Sequence, residues 1–94
     1  MYDLGIKPTV DKIFKKLVKK NRKQLESIHK KIQEIRTHPD HHYKHLHKPL
    51  SDFYGVHINT HFVLIFTIDH TKKIVEIYYF DHHDNVYKWS ASKK

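Results

Sequence analysis

A change of hydrophobic period near Pro39 constrains this chain more than any other feature. On its N-terminal side, Val10, Ile13, Phe14, Leu17 and Val18 recur at helical spacing, and so do Leu25, Ile28, Ile32 and Ile35. Each set makes one apolar stripe along a helix. Thr9, beside Pro8, is the expected N-cap of the first helix. Asn21 opens the second, and Gln24 three residues later completes a capping box. Only Lys20-Asn21 separates the two stripes, so the helices are expected to form a hairpin. Pro39 ends the second helix because it cannot continue the backbone ladder.

Beyond residue 50 the pattern becomes that of strands. Phe53–Ile58, Phe62–Ile68 and Lys73–Asp81 are rich in β-branched and aromatic residues, and the segments joining them are short enough for hairpins. Tyr2–Ile6 alternates polar and apolar residues and reads as a short strand ahead of the helices, while Asn85–Trp89 reads as a strand or a turn. Residues 38–50 are polar, with Pro39 and Pro49, and read as a loop. The expected architecture is α+β in the order β-α-α-β-β-β, with the two helices on one face of a small, mainly antiparallel sheet. The other face of such a sheet is expected to stay open and to offer a binding surface. Residues 1–94 suffice for one domain and not for two; a domain of this size buries roughly 60–65% of its unfolded surface.

Charge and cysteine content narrow the function. Residues 1–50 hold 13 Lys/Arg against 5 Asp/Glu, whereas residues 51–94 hold 5 against 5. The whole positive surplus therefore lies in the helical half, which points to a polyanionic partner. Lys15, Lys16 and Lys19 lie off the first apolar stripe and Lys23 off the second, free to meet phosphates or simply to be solvated. With no cysteine, disulfides and thiolate–zinc sites are excluded, as suits a reducing compartment. No apolar run approaches the roughly 20 residues of a membrane span, and the N-terminus lacks a signal-peptide pattern. A soluble, cytoplasmic protein is expected.

Eleven histidines in 94 residues are the unusual chemistry here. His57 lies mid-strand between Val56 and Ile58, so alternation points it away from both. If Asn59-Thr60-His61 is a three-residue turn, His57 sits opposite Val63. His82 and His83 are adjacent, so in an extended chain at most one of them faces His57; the hairpin register that would choose between them is not readable. Tyr87, four residues on, suits either a stacked base or the edge of the core. His38/His42 and His41/His45 have the spacing of helical metal pairs, but Pro39 argues against a helix there, and a solvated loop is the simpler reading. His47, just before Lys48, is placed to reach the edge of the first strand after the loop.

Imidazoles without thiolates suit RNA cleavage. RNA carries its own nucleophile, the 2′-hydroxyl. The reaction needs a base for that proton, an acid for the leaving 5′-oxygen and cations for the phosphorane. Two imidazoles, whose ordinary pKa is near 6.5, can divide the acid and base work at neutral pH with no cofactor.

The chain resembles the RelE/ParE superfamily of toxins from toxin–antitoxin systems over about residues 1–88. The resemblance rests on Phe14-Lys15-Lys16-Leu17, on Lys48-Pro49-Leu50, on Tyr54-Gly55-Val56-His57-Ile58 with Phe62-Val63-Leu64-Ile65-Phe66, and most specifically on Asp81-His82-His83-Asp84-Asn85-Val86-Tyr87. Within the superfamily it is most similar to the histidine-using YafQ-type ribosome-dependent mRNA endonucleases. That resemblance implies active-site roles for His47 and His57, a general acid at His83 and an aromatic that positions the message at Tyr87. His61 and Phe62 fall where that type has an aspartate and a tryptophan, and with Lys44 and Lys48 they are expected to contact RNA. Val63 stands where many RelE members carry an arginine, so Lys44, Lys48 or His57 would have to supply the missing cation. The implied partners are a cognate antitoxin, the ribosome and mRNA, with no metal or other cofactor. The alternatives are a ParE-like gyrase inhibitor, an inactive homologue and an RNA-binding domain without turnover.

Overall fold

The computed structural model describes residues 1–89. Strand β1 (Asp3–Ile6) leads into helix α1 (Pro8–Lys20) and helix α2 (Arg22–Thr37). Strands β2 (Tyr54–Ile58), β3 (Phe62–Asp69) and β4 (Ile74–His82) follow, and a single helical turn, α3 (His83–Val86), closes the fold. The four strands form one sheet in the order β1-β4-β3-β2. β1 runs parallel to β4, while β4–β3 and β3–β2 are antiparallel.

The cap of α1 differs from the sequence expectation. Lys7, not Thr9, is the N-cap, and Pro8 occupies the first helical position. Proline suits that place because its missing N–H would have no helical partner and its φ is already set. Asn21 does cap α2: its side-chain oxygen accepts the Gln24 N–H at 3.1 Å. The reciprocal half of the capping box is absent, because the Asn21 N–H already donates to the Leu17 carbonyl at 2.9 Å. Along α1 the stripe fades toward its end, and Val18 is 41% exposed. α2 stops at Thr37, two residues before Pro39.

Alternation along β3 divides the interior in two. Leu64 and Phe66 face the helices and pack with Val10, Phe14, Ile28, Ile32 and Ile35. Val63 and Ile65 face the other way, into a second cluster with Leu50, Phe53 and Val86, bordered by Trp89. The expectation of an open second face is therefore corrected. Apolar Val63 and Ile65 demand cover, and the 45–53 segment and the C-terminal turn return over the sheet to supply it. Phe53, expected to begin β2, belongs to that cover. Asn85–Trp89 is neither strand nor simple turn but overlaps α3, which places Val86 and Trp89 on the same cluster. A register shift between Ile65 and Phe66 leaves Tyr78 as an extra residue in β4, a bulge that bends the sheet beneath this cover.

Three groups make the fold sensitive to alkali. Burial raises the Tyr43 phenol, and Glu34 adds to the shift; burial also raises Tyr79, whose hydroxyl donates to Asp81 Oδ2 at 2.9 Å. A hydrogen bond to Glu76 raises Lys7. Each holds its proton more tightly folded than unfolded, so its stabilisation is complete below the ordinary values of 10.0 for tyrosine and 10.5 for lysine. That stabilisation is lost as pH rises through the folded values. The thermal midpoint is expected to decline above about pH 10. An unchanged midpoint up to about pH 11.5, followed by scanning fluorimetry, would contradict this.

Candidate active site

A cleft of about 350 Å³ opens on the second face of the sheet, beside the small cluster. One wall is the segment Lys44–His47. The sequence reads as loop there, but the chain docks on β2 as a short extension of the sheet. The Gly55 N–H donates to the Lys44 carbonyl at 3.0 Å, the Leu46 N–H to the Phe53 carbonyl at 3.0 Å, and His45 bridges Tyr54. With one apolar residue in Lys44-His45-Leu46-His47, no period announces this piece of strand.

The floor is Gly55 and Val63. A Cβ on Gly55 would lie 2.7 Å from Leu46 Cδ2 and 3.2 Å from Val63 Cγ1. The missing side chain lets Leu46 pack over β2 and keeps the floor low. His57 rises from β2 opposite Val63, as the three-residue turn requires, and is exposed in the cleft. Asn59 and Thr60 make that turn with φ of 54° and 78°.

The remaining wall comes from the C-terminus: His83, Val86 and Tyr87. Val86 is 1% exposed and anchors α3 in the second cluster. The His83 N–H donates to the His61 carbonyl at 2.8 Å, fixing the start of α3 against the β2–β3 turn. The Tyr87 hydroxyl accepts the His47 N–H at 3.1 Å, and its ring stacks on His47 with centroids 6.1 Å apart. That contact ties the two side walls together across the mouth.

His47, His57, His83, Tyr87 and Lys44 thus meet in one cleft, joined by His45, which the sequence reading noted only as half of a spacing pair. The His45 ring lies over Tyr54, with centroids 4.3 Å apart. None of the lining residues is acidic, so the cleft favours an anion. Lys48 is exposed beside His47 but does not line the cleft. Phe62 lies outside the cleft. It shares the helix-facing side of β3 with Leu64 and Phe66, and its ring stacks on Phe80 at 5.4 Å. His61 lies at the end of the sheet, where its ring stacks on those of His82 and His83 at 6.0 Å each. Of the adjacent pair only His83 lines the cleft with His57, but the chain is not extended there and the two rings do not diverge. β4 ends at His82 and the chain enters α3, which turns the two rings onto one another with centroids 4.7 Å apart. Lys15, Lys16, Lys19 and Lys23 are exposed on α1 and α2, across the sheet from the cleft. Lys15 pairs with Asp11 at 3.2 Å.

Residues 5–87 match the family model described as the ParE toxin of the type II toxin–antitoxin system parDE. A Methanocaldococcus jannaschii protein named as a toxin, RelE4, is 52% identical over 88 residues, which cover 94% of this chain and 93% of that protein. Among solved structures, the E. coli toxin RelE, as a double arginine-to-alanine mutant in the free state, superposes with a TM-score of 0.76. It shares 18% identity over 98% of this chain and 96% of that one. The YoeB–YefM complex of Staphylococcus aureus gives a TM-score of 0.74 at 18% identity, over 88% of this chain and 98% of the matched chain. At these identities the two structures speak to the fold.

Proposed function

The chain belongs to the RelE/ParE superfamily of toxins of type II toxin–antitoxin systems, and from that premise we propose that it is a ribosome-dependent endoribonuclease that cleaves mRNA by acid–base catalysis. The observation that carries this reading is the gathering of His57, His83 and Lys44 around one cleft without an acidic residue. In the reaction, a neutral imidazole takes the proton of the 2′-hydroxyl as its oxygen attacks the adjacent phosphorus. His57 is the candidate base, with His47 near enough to share the phosphate. Protonated His83 gives its proton to the departing 5′-oxygen. Lys44 offsets charge on the phosphorane, a duty that Val63, buried in the cleft floor, cannot take, while Lys48 just outside the cleft would meet a flanking phosphate. Tyr87, 48% exposed, offers a face for a base. The products are a 2′,3′-cyclic phosphate and a 5′-hydroxyl.

The lysines of α1 and α2 lie on the other side of the molecule, where they would contact ribosomal RNA rather than the scissile phosphate. A cognate antitoxin that masks the cleft or the lysine face would silence the toxin, and the YoeB–YefM and Mycobacterium tuberculosis RelBE2 structures are toxin–antitoxin complexes of this fold. Cytoplasmic action accords with a ribosomal target, and among the described residues no helix is long and apolar enough to cross a membrane.

The test is cleavage of an mRNA on programmed ribosomes, with end mapping and an excess of a chelator selective for transition metals at constant magnesium. Cleavage that survives chelator and leaves a 2′,3′-cyclic phosphate is expected. Cleavage abolished by chelator and restored by zinc but not by magnesium would overturn the acid–base mechanism. The matching family model is that of ParE toxins, and the ParE-like alternative that the resemblance implies, inhibition of DNA gyrase, is the other reading. Loss of gyrase supercoiling on adding the purified protein, with mRNA left intact, would select it.

A further inference from the structure

We propose that His61, His82 and His83 form a binding site for a divalent transition metal of the zinc, nickel or copper class, and that its occupancy takes His83 away from the cleft. The three residues come from two places in the chain that the fold joins: the β2–β3 turn, and the junction of β4 with α3. The backbone bond from His83 N–H to the His61 carbonyl at 2.8 Å holds those places together. One ring nitrogen from each histidine lies within 4.8 Å of the others. A tetrahedral zinc with bonds of about 2.0–2.1 Å holds its nitrogens about 3.3 Å apart. Small rotations of three exposed or half-buried rings close that difference. Because the chain turns at His82, two adjacent histidines converge that would diverge in a continued strand.

Asp84 supplies the outer support that metal-bound histidines require. Its Oδ1 lies 3.3 Å from His83 Nδ1 and its Oδ2 lies 3.5 Å from His82 Nδ1. A proton on each Nδ1, shared with this carboxylate, leaves Nε2 free as the ligand. His82 Nδ1 instead accepts the Asp84 N–H at 3.2 Å in the metal-free arrangement, so binding exchanges that cap for a bond to the carboxylate. Neutral imidazoles suit zinc, nickel or copper and not magnesium or calcium. Three protein ligands also leave a fourth position open to water. The 38–45 histidines, whose spacing resembles a helical metal pair, lie outside any helix and have no such arrangement among the described residues.

His83 belongs to both this triad and the cleft. A metal-bound imidazole nitrogen neither accepts nor donates a proton, so zinc would inhibit cleavage; this second half rests on the nuclease reading. The experiment titrates zinc by calorimetry, and cobalt by its visible absorption, into metal-free full-length protein. One ion per chain is expected at this site. His82→Asn keeps an oxygen able to accept the Asp84 N–H, so α3 stays capped while a ligand is lost; affinity should fall at least tenfold. Asp84→Asn should weaken binding by about 10–100-fold. The double variant His41→Gln/His42→Gln should bind as the parent does. No binding, or unchanged affinity in His82→Asn, would overturn the site. In the ribosome assay, zinc should inhibit the parent and spare His82→Asn. Binding without inhibition of an active parent would overturn the coupling. If the parent cleaves nothing, the nuclease reading fails by itself, while the titrations still decide the metal site.

Discussion

His83→Ala is expected to lower the rate of ribosome-programmed mRNA cleavage by about 10²–10⁴-fold, the usual contribution of a general acid or base. Loss of the fold would not explain that fall. His83 is exposed, and the bond that fixes it to His61 uses its backbone N–H, which alanine retains. Val86 still anchors the helical turn in the second cluster. The control is His82→Asn, which preserves the cap on Asp84 and should stay within several-fold of the parent. His57→Ala should fall as sharply as His83→Ala, whether His57 takes the proton or steadies the phosphate. With one imidazole needed neutral and another charged, the pH–rate profile should be bell-shaped. Protonation of the base closes the acidic limb and deprotonation of the acid closes the basic one. His83→Ala should therefore flatten mainly the basic limb, a change that simple misplacement of the message would not produce. Full activity in both His83→Ala and His57→Ala would remove the cleft from the chemistry and favour a non-cleaving toxin.

The second large effect concerns the other side of the molecule. Reversing charge at Lys15, Lys16, Lys19 and Lys23 should weaken ribosome binding and make it less sensitive to salt. Four phosphate contacts contribute a slope of about 3 in log affinity against log salt, or roughly a hundredfold between 50 and 200 mM. The four side chains are exposed and point away from the helix–sheet core, and the exposed pair of Lys15 with Asp11 is worth well under about 1 kcal/mol. The variant should therefore unfold close to the parent's temperature. It should also retain cleft chemistry toward any RNA that reaches it. Sedimentation with ribosomes across a salt series measures the slope. A slope equal to that of the parent would make these lysines a solvated face with no part in docking.

The division between what could be read early and what could not follows from the range of the interactions. Two helices, their common hinge at Asn21, their stop before Pro39 and three closing strands were all legible. Each depends on neighbours within one or two turns or along one strand, and those neighbours are written side by side. The position of His57 opposite Val63 was legible for the same reason, since a three-residue turn sets the pairing. The helix-facing side of Phe62 was legible too, because it follows from alternation with Leu64 and Phe66.

Other features needed the whole fold. The cover over Val63 and Ile65 comes from residues ten or more positions away, and no local period announces it. The docking of Lys44–His47 on β2 turns an apparent loop into the wall of a cleft. Most plainly, adjacency of His82 and His83 in sequence predicts that they diverge, because strand geometry separates neighbours. Only the end of β4 at that point, and the capture of the His83 N–H by the His61 carbonyl, bring three imidazoles together. The sequence by itself determined the elements, their order and the stock of histidines and lysines, through contacts between near neighbours. Which histidines share a site, and which side of the sheet the lysines occupy, was decided by tertiary structure, because those distances depend on chain closure between residues far apart.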